Sequence, residues 1–169
     1  MIVIGIDPGP ENSAYVIWDG ERILSFAKEP NVTVLSRLIN EGGFDRLVIE
    51  MIASYGMAVG AEVFETVYWI GRFSQAFGAL RSDRVTRLIV KQHLCHDSRA
   101  KDGNIRQALI DRFGPPGKKK APGFTYGISG DEWQALALAV TWWDLNVGSR
   151  TGGEDCHART QQTDIMPGL

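Results

Sequence analysis

The sequence predicts an α/β domain on a five-stranded mixed sheet, with three antiparallel strands first and helices flanking the sheet. Three observations carry this expectation. Met1 to Ile6 is a short, almost wholly apolar run rich in β-branched residues, ended by Asp7-Pro8-Gly9-Pro10, as in a buried central strand that runs into a turn. Two further short runs, Ser13 to Trp18 and Arg22 to Ala27, are separated by Asp19-Gly20, the dipeptide most favourable to a tight hairpin. Beyond them the patterns follow in the order helix, strand, helix, strand, helix, helix.

Each of these later elements has a local reason. After Pro30-Asn31, the apolar residues Val34, Leu35, Leu38 and Ile39 recur at helical spacing, and Gly42-Gly43 stops the helix. Arg46 to Glu50 reads as a second buried strand with a carboxylate at its end. From about Val59 to Leu80 a long helical pattern carries one stripe of Val63, Val67, Ile70 and Phe77, thickened by Phe64, Tyr68 and Phe73. So widely apolar a helix buries more than one face, either as a core helix crossing the sheet or through a homodimer interface. Val85 to Val90 is a third strand-like run. Asn104 to Phe113 is helical and closed by Gly114-Pro115-Pro116-Gly117, and a loop from Lys118 to Gly127 follows. The last helix starts at Ser129-Gly130-Asp131-Glu132, a capping-box pattern, and continues through Ala135, Leu136, Ala139, Val140 and Trp143. Residues 1–147 are expected to form the folded domain and 148–169, polar and rich in Gly, Thr and Gln, a disordered tail.

The chain has 169 residues, 44% hydrophobic and 22% charged, the size and balance of one soluble domain with its own core. No apolar run approaches the roughly 18 residues of a membrane span, and the start lacks the pattern of a signal peptide, so a cytoplasmic location is expected. Cys95 and Cys156 lack the spacing of a zinc site and read as reduced thiols. The net charge is −2, yet residues 81–120 hold 11 Lys or Arg against 4 Asp or Glu, while the remainder holds 7 against 16. Such a basic segment can neutralise phosphates, or it can be a solvated surface.

Asp7, Glu50 and Asp131 fall at element ends, two closing apolar strands and one opening a helix. Strand ends are where α/β sheets build sites. If the two strands pair and the last helix packs beside them, the carboxylates converge, an arrangement that is unfavourable without a cation. Hard oxygen ligands suit Mg²⁺, with Mn²⁺ as a substitute, and two such ions would activate a water and stabilise the leaving oxygen of a phosphodiester. Asp7 and Asp131 also have plainer readings, as a turn residue and as a favourable charge at a helix start, and Glu50 is the most informative, because a charge closing an apolar strand needs a partner. Glu132 reaches back to cap its own helix, which leaves the ligand role to Asp131, and Gln134 lies one turn beyond on the same face. Lys91, just after the run ending at Val90, could steady a scissile phosphate. Lys118, Lys119 and Lys120 look like a phosphate clamp, joined in the basic segment by Arg99 and Lys101.

Ile-Gly-Ile-Asp-Pro-Gly at 4–9, Leu-Val-Ile-Glu at 47–50, Val-Lys-Gln at 90–92 and Asp-Glu-Trp-Gln-Ala-Leu-Ala-Leu-Ala at 131–139 occur together in this order. In that combination the chain resembles the RuvC family of Holliday-junction resolvases over roughly residues 1–147, and its block at 104–114 looks like the phage-encoded branch. The resemblance implies a ribonuclease H-like fold, a homodimer gripping a four-way DNA junction, and Mg²⁺-dependent symmetrical nicking of two strands; a phage enzyme would act in the bacterial host cytoplasm. Asp7, Glu50 and Asp131 match family carboxylates, and Lys91 matches a lysine implicated in activity. Gln134 departs from the fourth carboxylate of the cellular enzymes, and Pro10-Glu11-Asn12 adds a negative charge beside the site. Tyr55 or Met57 is the nearest candidate for an aromatic wedge in the junction centre. A broader branched-DNA nuclease cutting forks and flaps shares every one of these residues, and a junction-binding protein without catalysis is the remaining alternative; an actin-like ATPase would need a second domain.

Overall fold

The structure is a computed structural model describing residues 1–53, 56 and 59–148. Strands β1 (Val3–Asp7), β2 (Asn12–Trp18) and β3 (Ile23–Pro30) run antiparallel. Strand β4 (Arg46–Met51) pairs in parallel with β1, and β5 (Ser82–Thr86) in parallel with β4, giving the order β3-β2-β1-β4-β5. The helices are α1 (Asn31–Asn40), α2 (Ala61–Phe77), α3 (Arg87–Cys95), α4 (Asp102–Phe113) and α5 (Glu132–Asn146).

The two-residue period of the strands sorts their side chains into two cores. Ile4, Ile6, Tyr15, Ile17, Leu47 and Ile49 meet α1 and α2 on one face. Val3, Ala14, Val16, Trp18, Val48 and Val85 meet α5 on the other, with α3 and α4 packed against α5 from outside. Between Val3 and Asp7 this second face carries only Gly5. A Cβ there would lie 2.5 Å from the Ala135 carbonyl oxygen, so the missing side chain is what lets α5 cross β1 closely. Among the described residues no helix is long and apolar enough to cross a membrane.

Four expectations need correction. The third strand-like run is not a strand from Val85 to Val90: β5 ends at Thr86, and Arg87 to Cys95 is helical. The apolar residues that suggested a strand instead serve α3, where Val90 is buried and Leu94, four residues on, packs into the same core. Helix α2 spans 61–77 rather than 59–80, and its buried stripe is Thr66, Trp69, Ile70, Phe73 and Phe77, leaving Phe64, Val67 and Tyr68 exposed. The lysine loop contains a minimal hairpin, β6 (Gly117–Lys118) with β7 (Ala121–Pro122), turning at Lys119 and Lys120. The first hairpin is also longer than expected: β3 continues three residues past Ala27, which brings Lys28 into the sheet. Apart from Gly148, the expected tail lies outside the described residues, as do Tyr55 and Met57.

Candidate active site

The parallel register carries Ile6 beside Ile49, so the next residues along, Asp7 and Glu50, lie side by side at the C-terminal ends of β1 and β4. The antiparallel registers place Ala14 opposite Asp7 and Lys28 opposite Ala14, while Val85 is level with Glu50 on β5. Lys28, Ala14, Asp7, Glu50 and Val85 therefore form one row across the sheet, and side chains in one row share a face. That face is the one covered by α5. Asp131 directly precedes Glu132, the first residue of α5, and so arrives beside Asp7.

Burial above all, and then the charges of Glu50 and Asp131 together with a hydrogen bond to Glu50, push the Asp7 carboxyl up to about 8; Arg87 pulls the other way. The Asp7 carboxyl is therefore held mostly protonated at neutral pH in the absence of any other cation, with a hydrogen bond to Glu50. The third carboxylate is turned aside: Asp131 Oδ2 is 2.6 Å from Lys28 Nζ. Glu50 Oε2 is likewise 3.0 Å from Arg87 Nη1. Among the described residues no three Asp, Glu, His or Cys side chains are so placed that they could hold a metal ion as they stand. The donor set nonetheless fits one, because a hard cation between Asp7 and Glu50 would relieve the burial and like-charge repulsion that push the Asp7 carboxyl up.

A cavity of about 450 Å³ opens at this end of the sheet, lined by Asp7, Pro8 to Asn12, Lys28, Glu62 and Asp131. Its rim loop is pinned from beneath. Buried Asn31 donates to the Gly9 carbonyl at 2.9 Å and accepts from Ser13 Oγ at 2.6 Å, and its own N–H reaches the Glu11 carbonyl at 2.9 Å. Glu11 thus lines the cavity as a further negative charge, and Glu62, from the first turn of α2, adds another that the sequence reading did not single out.

Glu132 caps as expected: the Ser129 N–H donates to its Oε2 at 2.8 Å. Gln134 is buried, does not line the cavity, and its Oε1 has no hydrogen-bond partner among the described residues. Lys91 sits in the middle of α3, not at a strand end and not in the cavity lining. The basic residue at the end of β5 is Arg87, whose Nη2 also lies 2.6 Å from Asp102 Oδ1 at the start of α4. Arg87 and Lys28 are the site residues that the sequence reading missed, and both were hidden by strand boundaries: β5 ends four residues earlier than expected and β3 runs three residues longer. Arg99 and Lys101 are exposed next to the N-terminus of α4 and hence near Arg87. Lys118, Lys119 and Lys120 are exposed beyond the other end of α4, about 18 Å away along a 12-residue helix.

The strand order and the flanking helices are those of a ribonuclease H-like fold. Several solved structures share this fold. That of Thermus thermophilus RuvC superposes with a TM-score of 0.62 at 20% identity, covering 88% of this chain and 97% of that one. The same protein in complex with a Holliday junction substrate gives 0.57 at 21% identity, covering 83% and 92%. No family model matches the chain, and no curated protein matches its sequence.

Proposed function

We propose that this chain is a metal-dependent endonuclease that resolves four-way DNA junctions by paired symmetrical nicking. The observation that carries the reading is the side-by-side placement of Asp7 and Glu50 at the sheet end, with Asp131 delivered beside them by α5. The likeness in fold to a protein solved with a Holliday junction supports the same substrate class. Asp7 and Glu50 would hold Mg²⁺ or Mn²⁺, with Asp131 joining once turned from Lys28, and two ions would be accommodated per site. When bound, such ions supply Lewis acidity and a water acidic enough to attack a phosphodiester at neutral pH. The chain's own residues do the rest. The pinned loop from Pro8 to Glu11 shapes one wall, and Arg87 neutralises Glu50 until the cation enters. Exposed Arg99 and Lys101 near the carboxylates, and Lys118 to Lys120 farther out, are placed to bind phosphates along a DNA arm.

A four-way junction has twofold symmetry, and paired nicking asks for two sites. The outer side of α2 offers a surface for a second copy: Phe64, Val67 and Tyr68 are exposed at 66%, 40% and 57%, beside an apolar groove of about 520 Å³ that runs to Leu35 and Ile39 of α1.

The test is cleavage of end-labelled four-way, Y-shaped and linear DNA by wild type and Asp7→Asn, in Mg²⁺, Mn²⁺ or EDTA. Symmetrical paired nicks in the four-way junction are expected with either metal, none in EDTA, and a loss of at least about a hundredfold in Asp7→Asn. Cutting of Y forms at equal rate would make it a general branch nuclease. Tight junction binding without cleavage in either metal would leave a binding protein and sink the enzyme reading.

A further inference from the structure

Two cations of this chain stand against its carboxylates, one on each side of Asp7. Lys28 meets Asp131 at 2.6 Å and Arg87 meets Glu50 at 3.0 Å. The two pairs sit in different surroundings. Glu50 and Arg87 are 15% and 26% exposed, so Glu50 needs a counter-charge in its enclosed position. Lys28 and Asp131 are each about half exposed, at 51% and 52%, and such a pair is held together only weakly.

Release is made easy in both cases, for different reasons. Lys28 lines the open cavity and can move into solvent or onto an incoming anion. Arg87 keeps its 2.6 Å contact to Asp102 when it lets Glu50 go, so its guanidinium is never left unpaired.

We propose that Lys28 and Arg87 are exchange partners, each neutralising one carboxylate until a divalent cation and a DNA phosphate enter together, the cation taking the carboxylates and the phosphate taking the two freed basic groups. The proposal rests on the nuclease reading above. Its consequence follows from charge balance. A divalent ion alone would leave two positive side chains beside it, and a phosphate alone would face the carboxylates. Each ligand removes the other's penalty, so the two must bind cooperatively, by the same factor in either order. Lys28 and Arg87 are thus positioning residues that set when the site can load.

The experiment measures Mn²⁺ affinity of the full chain, from the electron paramagnetic resonance of the free ion. It is read at 4 °C within the first minute, with and without a four-way DNA junction. Wild type is expected to bind Mn²⁺ about tenfold more tightly when the junction is present. Lys28→Met and Arg87→Met should each bind Mn²⁺ several-fold more tightly than wild type without DNA, and should lose most of the junction-linked gain. Arg22→Met removes a distant surface charge paired with Asp19 and should behave as wild type. Arg87→Lys guards against misfolding of the Met variant and should keep an intermediate gain; thermal melts confirm that each variant is folded. Folded Lys28 and Arg87 variants with wild-type Mn²⁺ affinity and a wild-type junction-linked gain would overturn the exchange, and continued cleavage by wild type would leave the nuclease reading intact. Failure of wild type to bind Mn²⁺ with or without DNA would overturn both.

Discussion

Helices α5 and α2 lie on opposite faces of one sheet, and they differ in what covers their outer sides. Ten consecutive residues of α5, Trp133 to Trp142, are buried, because the sheet lies on one side and α3 and α4 on the other. On α2 the side toward the sheet is buried, whereas Phe64, Val67 and Tyr68 face outward. The α5 sequence is apolar nearly all the way round, whereas α2 is apolar on two sides with Glu62, Glu65 and Arg72 between them. The number of layers around each helix separates them, and the comparison teaches that an over-apolar helix marks either a sandwiched position or an uncovered one. The sandwiched helix holds Asp131 in place; the uncovered one is left available for another chain.

Four changes would break or sharpen this contrast. The largest effect is expected at Leu136, fully buried in the centre of α5: Leu136→Ala should cost about 3–5 kcal/mol in urea denaturation. Phe64→Ala, a larger truncation on α2, should change the stability of the dilute chain by no more than about 0.5 kcal/mol. Equal costs would mean that the two helices are not covered as described.

Next comes Gly5, where α5 and β1 touch. Gly5→Val would place a side chain against the Ala135 carbonyl and force α5 outward, at a cost of about 2–3 kcal/mol. Because the same shift carries Asp131 away from Asp7, junction cleavage should fall by more than the lost stability explains when assayed well below the melting temperature. Unchanged cleavage at that temperature would show that the close crossing does not set the site.

A smaller effect than at Leu136 or Gly5 is expected at the outer layer that covers α5. Asp144 near its C-terminal end binds Arg112 of α4, Nη2 to Oδ1 at 2.8 Å, and His93 of α3, Nε2 to Oδ2 at 2.8 Å. Burial opposes ionisation of this carboxyl, but the hydrogen bonds from Arg112 and His93 outweigh it and hold Asp144 below the ordinary 3.8. Its folded value is depressed, so its stabilisation is present above 3.8 and fades as pH falls through the folded value. Asp144→Asn should therefore cost about 1–2 kcal/mol at pH 7 and little in strong acid, with urea midpoints measured across that range. A constant difference at every pH would rule out the ionised carboxylate as the source.

Much of this molecule was legible in the sequence because its signals are local. The apolar run ending at Asp7, the Asp19-Gly20 turn, the strand ending at Glu50 and the capping pattern at Ser129 to Glu132 each name an element from a few adjacent residues. Even the capping contact of Glu132 with the Ser129 N–H could be read, since a capping box has a fixed spacing. The stretch from Ser82 to Cys95 misled for a related reason. Its strand is an edge strand with a single buried residue, Val85, so its sequence is polar, while the apolar residues that look like a strand belong to α3. The basic residue at the strand end was consequently sought at Lys91 and stands at Arg87.

The sequence by itself determined the sheet's opening hairpins, the strand ends at Asp7 and Glu50 and the start of the last helix, because turns, caps and periodicities are properties of neighbouring residues. Only the tertiary structure decided which groups meet: that β1 lies beside β4 so that Asp7 abuts Glu50, that Gly5 admits α5 and with it Asp131, and that Lys28 and Arg87 stand guard over two of those charges. Register and layer order are set by burying whole faces at once, and no short stretch of chain contains that information.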